Sequence, residues 1–291
     1  MVERQPTPAM LTDPSRWLTE ADLDFLVRST ATRRTDYDRI RAIVRDKPDL
    51  LEIMLDDERL YQRMVSEEDV FLKISPRLLF TVLLRRVRRQ LRERSFTVEL
   101  GASGRLPIFD ARQAARLVED PQVLGYLADM LASFVRTEQR AMVVRRGNTL
   151  YRRVFSDMDV DDLLVLAEMA DPGQRFALYK RIADVCLFLL GMFPEHVEQT
   201  AARYGRRPWE GARLRWGRRV RDRAEYEELG RAFYQKAAED EMAERVGLAG
   251  VLNTIKEHFV LATKPLNVLA DQLIPLRRWS LFAMGQQASP R

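Results

Sequence analysis

The spacing of apolar residues predicts helices along most of the chain. The clearest one begins at Ser75-Pro76, where serine can cap a helix and proline at the first helical position loses no hydrogen bond. We expect this helix to run to about Arg92. At about 100° per residue its apolar side chains share one face, and they are Phe80, Leu83, Leu84, Val87 and Leu91. The opposite face carries arginines, so the pattern indicates a core-packed helix with a basic outer face.

Similar periodicity and capping signals predict helices before and after this one. The predicted ranges are 20–29, 37–45, 49–55, 58–64, 67–74, 111–119, 122–139, 160–170, 172–191, 222–245, 248–262 and 265–284. Pro275 is expected to kink or split the last of them. Residues 204–219, with three glycines and a proline, are expected to be irregular.

Two segments have the alternation and turn residues of β-hairpins. The first pairs 96–100 with 105–109 around Gly-Ala-Ser-Gly, and Pro107 marks its second strand as an edge. The second pairs 142–146 with 149–155 around Gly147-Asn148. The predicted fold class is therefore predominantly α, a multi-helix bundle-like architecture with two short β-hairpins.

The same pass predicts the domain organisation. We expect a disordered leader at 1–16, a helical domain with a hairpin at 17–140 and a hairpin connector at 141–156. A second helical domain at 157–284 and a disordered tail at 285–291 complete the chain. A single fused helical domain is the alternative.

Composition excludes several classes of protein. The chain has 291 residues, of which 46% are hydrophobic and 31% charged, as in globular proteins. One cysteine excludes an internal disulfide and any zinc site with two cysteines, and two histidines argue against a multi-histidine metal site. The N-terminus does not resemble a signal peptide, and the longest apolar run, 185–193, is too short to span a bilayer. We therefore expect a cytoplasmic protein without a transmembrane segment.

No sequence motif supports catalysis. Phosphate-binding glycine loops are absent, and neither His196 nor His258 has the glutamate three residues earlier that a di-iron site requires. Cys186 lies in the apolar run, which predicts a buried, unreactive thiol. We predict no catalytic residue, no metal ligand and no cofactor. An enzyme or ligand-binding protein whose site is assembled from distant residues remains an alternative.

Positive charge is concentrated in two segments although the net charge is only +5. Residues 77–94 and 206–223 each carry a net charge of +6, and the second also contains aromatic residues that could stack on bases. Arginine contacts phosphate well, so both segments predict binding of a polyanion, with nucleic acid favoured and RNA or DNA undecided. The candidate residues are Arg85, Arg88, Arg89, Arg92, Arg206, Arg207, Trp209, Arg213, Arg215, Trp216, Arg218, Arg219 and Arg221.

Three other interpretations stay open. In the first, the arginines pair with the acidic remainder of the chain, which carries about −7. Residues 67–109 follow the element order of a winged helix, although the predicted recognition helix begins with apolar residues. The apolar, basic segment 265–284 could make the chain a protein-binding adaptor or a self-assembling scaffold. The leading hypothesis is a non-enzymatic binding or regulatory protein.

Overall fold

The structure, a computed structural model, describes residues 7–67, 69–101, 104–135, 139–146, 149–204 and 219–273. It confirms a predominantly helical, bundle-like fold. The helices are α1 (Pro8–Thr12), α2 (Glu20–Thr30), α3 (Tyr37–Val44), α4 (Pro48–Leu55), α5 (Glu58–Ser66), α6 (Val70–Lys73), α7 (Pro76–Glu93), α8 (Ala111–Leu117), α9 (Pro121–Val135), α10 (Val160–Met169), α11 (Pro172–Met192), α12 (Pro194–Tyr204), α13 (Arg223–Ala238), α14 (Glu241–Arg245), α15 (Ala249–Glu257) and α16 (Phe259–Leu273).

The strands form two separate antiparallel hairpins. Strand β1 (Thr97–Gly101) pairs with β2 (Gly104–Ile108), and β3 (Gln139–Arg146) pairs with β4 (Thr149–Ser156). In the first hairpin Val98 lies opposite Pro107, and in the second Val144 lies opposite Tyr151. A further short 3-10 helix covers Pro14–Arg16.

Local side-chain caps explain where several helices begin. The Thr19 hydroxyl accepts a hydrogen bond from the Asp22 amide, and the Asp22 carboxylate accepts one from the Thr19 amide. The Ser75 hydroxyl accepts from the Leu78 amide at the start of α7, which is the start that the sequence predicts. Asp222 and Glu225 form an equivalent capping box at the start of α13.

The N-terminal leader differs from expectation from residue 7 onward. Leu11 and Pro14 are buried, and the Arg77 guanidinium donates a hydrogen bond to the Met10 carbonyl. The carbonyl of Leu11 approaches Gly125 of α9 so closely that no space remains for a Cβ at position 125. The segment is therefore ordered by packing against α7 and α9, which its own composition does not reveal.

Several helix ends also differ from the predictions. The helix predicted for 222–245 divides at Asp240, whose side chain caps α14. The break predicted after residue 262 lies instead at His258, and α16 continues through Pro265. The predicted helix 265–284 is described only to Leu273, and the tail 285–291 lies outside the described residues.

One hydrophobic cluster extends from Leu11 to Ala270. Helix α11 packs against α10, α13 and α16, while α7 packs against α9 and α16. The α7–α16 contact lies between the two predicted units, and the boundaries between domains remain a prediction. Within the described residues, no helix is both long and apolar enough to cross a membrane.

A buried polar network lies inside this cluster. The hydroxyls of Tyr126 and Tyr234 both donate to Asp184 Oδ1, at 2.6 and 2.8 Å. Lys180 Nζ lies 2.7 Å from the other carboxylate oxygen of Asp184. Burial and the Asp184 charge raise the pKa of both tyrosines well above their usual value, so each stays a hydrogen-bond donor. The network links α9, α11 and α13 at one carboxylate.

We expect substitutions in this network to lower stability. Tyr126→Phe and Tyr234→Phe should each lower the free energy of unfolding by about 1–2 kcal/mol, since each removes a hydrogen bond to a charged group. Asp184→Ala should cost more, because it leaves Lys180 buried without its counter-charge. Urea unfolding followed by circular dichroism measures these effects. Tyr179→Phe is the control, expected within about 0.5 kcal/mol of the wild type; an equal loss there would contradict this account.

Candidate interaction surface

Helix α7 carries four of the candidate arginines, and the structure gives three of them partners in α4, α5 and the turn between them. Arg85 is 8% exposed; it forms ion pairs with Glu52 and, at 2.9 Å, with Asp56. Arg88 lies 3.5 Å from Asp56, and Arg89 Nη1 donates to the Asp56 carbonyl at 2.9 Å. Burial lowers the pKa of the Arg88 guanidinium, and Asp56 opposes that shift. These guanidinium groups fasten α7 to its neighbours.

Arg92 differs from the other three because it lies near the end of α7. Its side chain is 53% exposed and pairs with Glu119 at 2.8 Å. Of the four α7 candidates it is therefore the most accessible to an external ligand. The winged-helix interpretation requires the N-terminal part of α7 to be free to enter a DNA groove. In the structure this part is buried from Leu78 to Leu84, so it has no free face for such a contact.

The second arginine segment is described only from Arg219 onward. Asp161 of α10 accepts hydrogen bonds from the Arg219 amide at 2.7 Å and from the Arg221 guanidinium at 2.6 Å. Burial is the largest single influence on the pKa of Arg221 and lowers it, but the hydrogen bond to Asp161, the charge of Asp161 and smaller contributions from Tyr226 and Cys186 together raise the pKa above its usual value. Arg219 pairs with Glu225 and stays 60% exposed.

Seven candidates lie outside the described residues: Arg206, Arg207, Trp209, Arg213, Arg215, Trp216 and Arg218. Nucleic-acid binding therefore stays a prediction. Among the candidate arginines that the structure describes, Arg92 and Arg219 have largely exposed side chains.

The described surface has a different prominent feature at the first hairpin. Ten large apolar side chains are exposed in the described residues, and five of them lie within residues 96–109. Such a concentration marks a contact surface more often than scattered exposed residues do. The strand register divides these five between the two faces of the hairpin: Leu106 and Ile108 lie opposite Glu99 and Thr97, and the other three lie on the opposite face. We call those three the hairpin surface: Phe96, Val98 and Phe109.

The hairpin surface favours contact through side chains. Phe109 is 78% exposed, and its ring meets Phe96 edge to face with centroids 6.2 Å apart. Every residue of β2 is exposed, which leaves an edge strand uncovered. Pro107 lies in the middle of β2 and lacks an N–H group, so pairing with a further strand is disfavoured.

A cluster of charged residues fastens this hairpin to the helices, and we call it the Lys264 cluster. The buried Lys264 ammonium of α16 pairs with Glu99 of β1 and, at 3.2 Å, with Asp110 before α8. The other Glu99 oxygen lies 3.2 Å from Arg223, the first residue of α13. Thr97 donates to the remaining Asp110 oxygen at 2.5 Å. Burial lowers the pKa of Lys264 to about 8.

A cavity of about 510 Å³ lies beside the cluster, between the hairpin, α12 and α16. Its apolar wall includes Val98, Leu190 and Phe193, and its polar wall includes Arg105 and Glu195, which pair with each other at 3.0 Å. The volume is in the range of pockets that hold small ligands or a side chain of a partner.

Two carboxylates at this cavity have no ion pair within the described residues. They are Glu198 of α12 and Asp271 of α16. Partial burial raises the pKa of Asp271, and Arg105 opposes that rise.

Other candidate chemistry is limited in the part of the chain that the structure describes. No group of three histidine, cysteine or acidic side chains there is placed to hold a metal ion. His196 lines the cavity, whereas Cys186 is buried in α11. The interpretation of Cys186 as a buried apolar residue agrees with its position.

The sequence reasoning missed the hairpin surface and the Lys264 cluster. Alternation in β1 was visible, and it places Thr97 and Glu99 on one face. No local signal connects Glu99 with Lys264, since 165 positions separate them. Comparison with known proteins adds no assignment: no family model, curated protein or solved structure matches the chain.

The two classes of arginine on α7 should differ in their effect on stability. Arg85→Gln should lower the free energy of unfolding by about 2–3 kcal/mol, because it leaves Glu52 and Asp56 without their buried partner. Arg92→Gln, at an exposed pair, is expected to cost at most about 0.5 kcal/mol. Urea unfolding of the two variants makes the comparison. Equal stabilities would show that the α7 pairs do not support the fold.

Cys186 should be unreactive in the folded protein. Burial raises the pKa of its thiol to about 12, so at pH 8 only about one thiol in ten thousand is ionised. We expect Ellman's reagent to label almost no thiol in native protein and one per chain in urea. Complete labelling within minutes under native conditions would contradict the buried placement.

Proposed function

We propose that this chain is a non-enzymatic binding protein that holds a partner polypeptide at the hairpin surface and the adjoining cavity. The observation that carries the proposal is the concentration of exposed apolar side chains at 96–109. Leaving such a patch in water is unfavourable, and covering it releases about 25 cal/mol for each Å² of apolar area removed from water. A cytoplasmic location is part of the same proposal.

The support beneath the hairpin favours binding over a mobile loop. An isolated two-stranded hairpin is only marginally stable in water. Here Glu99, in the middle of β1, and Asp110, two residues after β2, attach the hairpin to α16 through Lys264. A pre-ordered surface loses little entropy when a partner binds, so contact energy is retained as affinity.

The cavity indicates the chemistry of the partner. Apolar side chains such as Val98 and Phe193 favour an aliphatic or aromatic group, while Glu198 and Asp271 favour a lysine or arginine. The expected partner is therefore a segment that combines large apolar residues with at least one basic residue. Buried apolar contacts would supply most of the affinity and the basic residue would orient the segment.

Selection from a displayed library of random twelve-residue peptides tests this function. Peptides enriched on the full chain should combine aromatic or aliphatic residues with lysine or arginine. Phe96→Ser together with Phe109→Ser should weaken the selected peptides about tenfold or more, since it removes the aromatic anchors. Fluorescence anisotropy of a labelled selected peptide measures that loss.

A matched control variant is available on the same chain. Ile53→Ser together with Leu72→Ser removes two exposed apolar side chains outside the hairpin, at 69% and 86% exposure. This variant should bind the selected peptides within about twofold of the wild type. If no peptide is enriched, or if the hairpin and control variants bind equally, the proposed function is wrong.

A further inference from the structure

The described end of the chain lies beside the hairpin. Helix α16 ends at Leu273, and the preceding Gln272 donates a hydrogen bond to Gln90 at 2.6 Å. Gln90 belongs to the last turn of α7, which leads directly into the hairpin. Asp271 also interacts electrostatically with Arg105 of β2. The residues after 273 therefore start next to the hairpin surface.

Residues 274–283, outside the described residues, have the composition expected of a segment that covers this surface. Ten residues can span up to about 33 Å when extended. Pro275 disfavours helical backbone at the residue before it, so a straight continuation of α16 is opposed. The segment is rich in large apolar residues: Ile274, Leu276, Trp279, Leu281 and Phe282.

The charges are complementary as well. Arg277 and Arg278 lie among the apolar residues of the segment, and Glu198 and Asp271 have no ion pair within the described residues. Contact between two copies through the same surface would instead bring these acids toward their own equivalents. The charge pattern thus favours the chain's own segment over a second copy.

We propose that residues 274–283 of this chain cover the hairpin surface and the mouth of the cavity. A partner would then have to displace them, so the segment acts as a competitor built into the chain. The regulatory part of this inference rests on the proposed function, whereas the intramolecular contact does not depend on it.

Site-specific photo-crosslinking tests the contact in the full chain. Phe109 is replaced by p-benzoyl-phenylalanine, which its high exposure should tolerate, and the purified protein is irradiated at low concentration. Mass spectrometry should identify an adduct with residues 274–283 in the monomer. The same probe at Leu72 of α6, beyond the opposite end of α7, should give at least tenfold less of that adduct.

The other outcomes overturn the inference. An adduct found only in covalent dimers would assign the surface to a second copy. Absence of any adduct from position 109, with intact folding by circular dichroism, would show that the segment does not cover the hairpin.

A second measurement separates this inference from the proposed function. Trp279→Ser together with Phe282→Ser, in the full chain, should raise the affinity for a library-selected peptide about tenfold, because it weakens the competitor. Peptides that bind this variant and the wild type equally would overturn the inference and leave the proposed function standing. Failure of all library peptides to bind either chain would instead refute the proposed function.

Discussion

The placement of the hairpin depends on one buried ammonium group. Lys264 pairs with carboxylates from the middle of β1 and from the residue before α8, so a single side chain of α16 contacts the hairpin at two points. A buried lysine is unfavourable unless its charge is compensated. Burial of Lys264 therefore requires both carboxylates to stay beside its ammonium group. Arg223 then holds the second oxygen of Glu99. The apolar side chains of the hairpin can be exposed because the hairpin does not need them for its attachment.

The α7 arginines show why charge along the sequence does not by itself identify a partner. The net charge of +6 over residues 77–94 indicates an external polyanion when the segment is considered by itself. Acids from α4, α5 and the turn between them, about thirty residues earlier, lie within ion-pair distance of Arg85, Arg88 and Arg89. Guanidinium groups suit such sites because their planar fork can contact two acids at once. The sequence composition raises the alternative that these arginines pair with acids of the same chain. It does not decide between that alternative and an external ligand, since pairing depends on how the helices pack.

Local rules predicted the fold class and many element positions. The start of α7 at Ser75-Pro76 and the β1–β2 hairpin follow from capping and turn chemistry that involve neighbouring residues. Rules of this kind did not predict that residues 7–16 are structured, because Leu11 is held by its contact with Gly125 of α9, which is distant in the sequence. The hairpin surface also depends on contacts between distant segments, since Phe109 is exposed only because no helix packs over it within the described residues.

Covalent attachment makes even a weak segment an effective competitor. A tether of a few residues holds its segment at an effective concentration of about 1 mM. If the free segment had a dissociation constant of about 10 μM, the closed state would be favoured about a hundredfold, and a partner's apparent affinity would fall by the same factor. A partner with about 0.1 μM intrinsic affinity would then bind at about 10 μM. Selectivity would thus arise from the difference between the affinity of the partner and that of the chain's own segment for the same surface. Only a partner that binds tightly enough to displace the segment would be held.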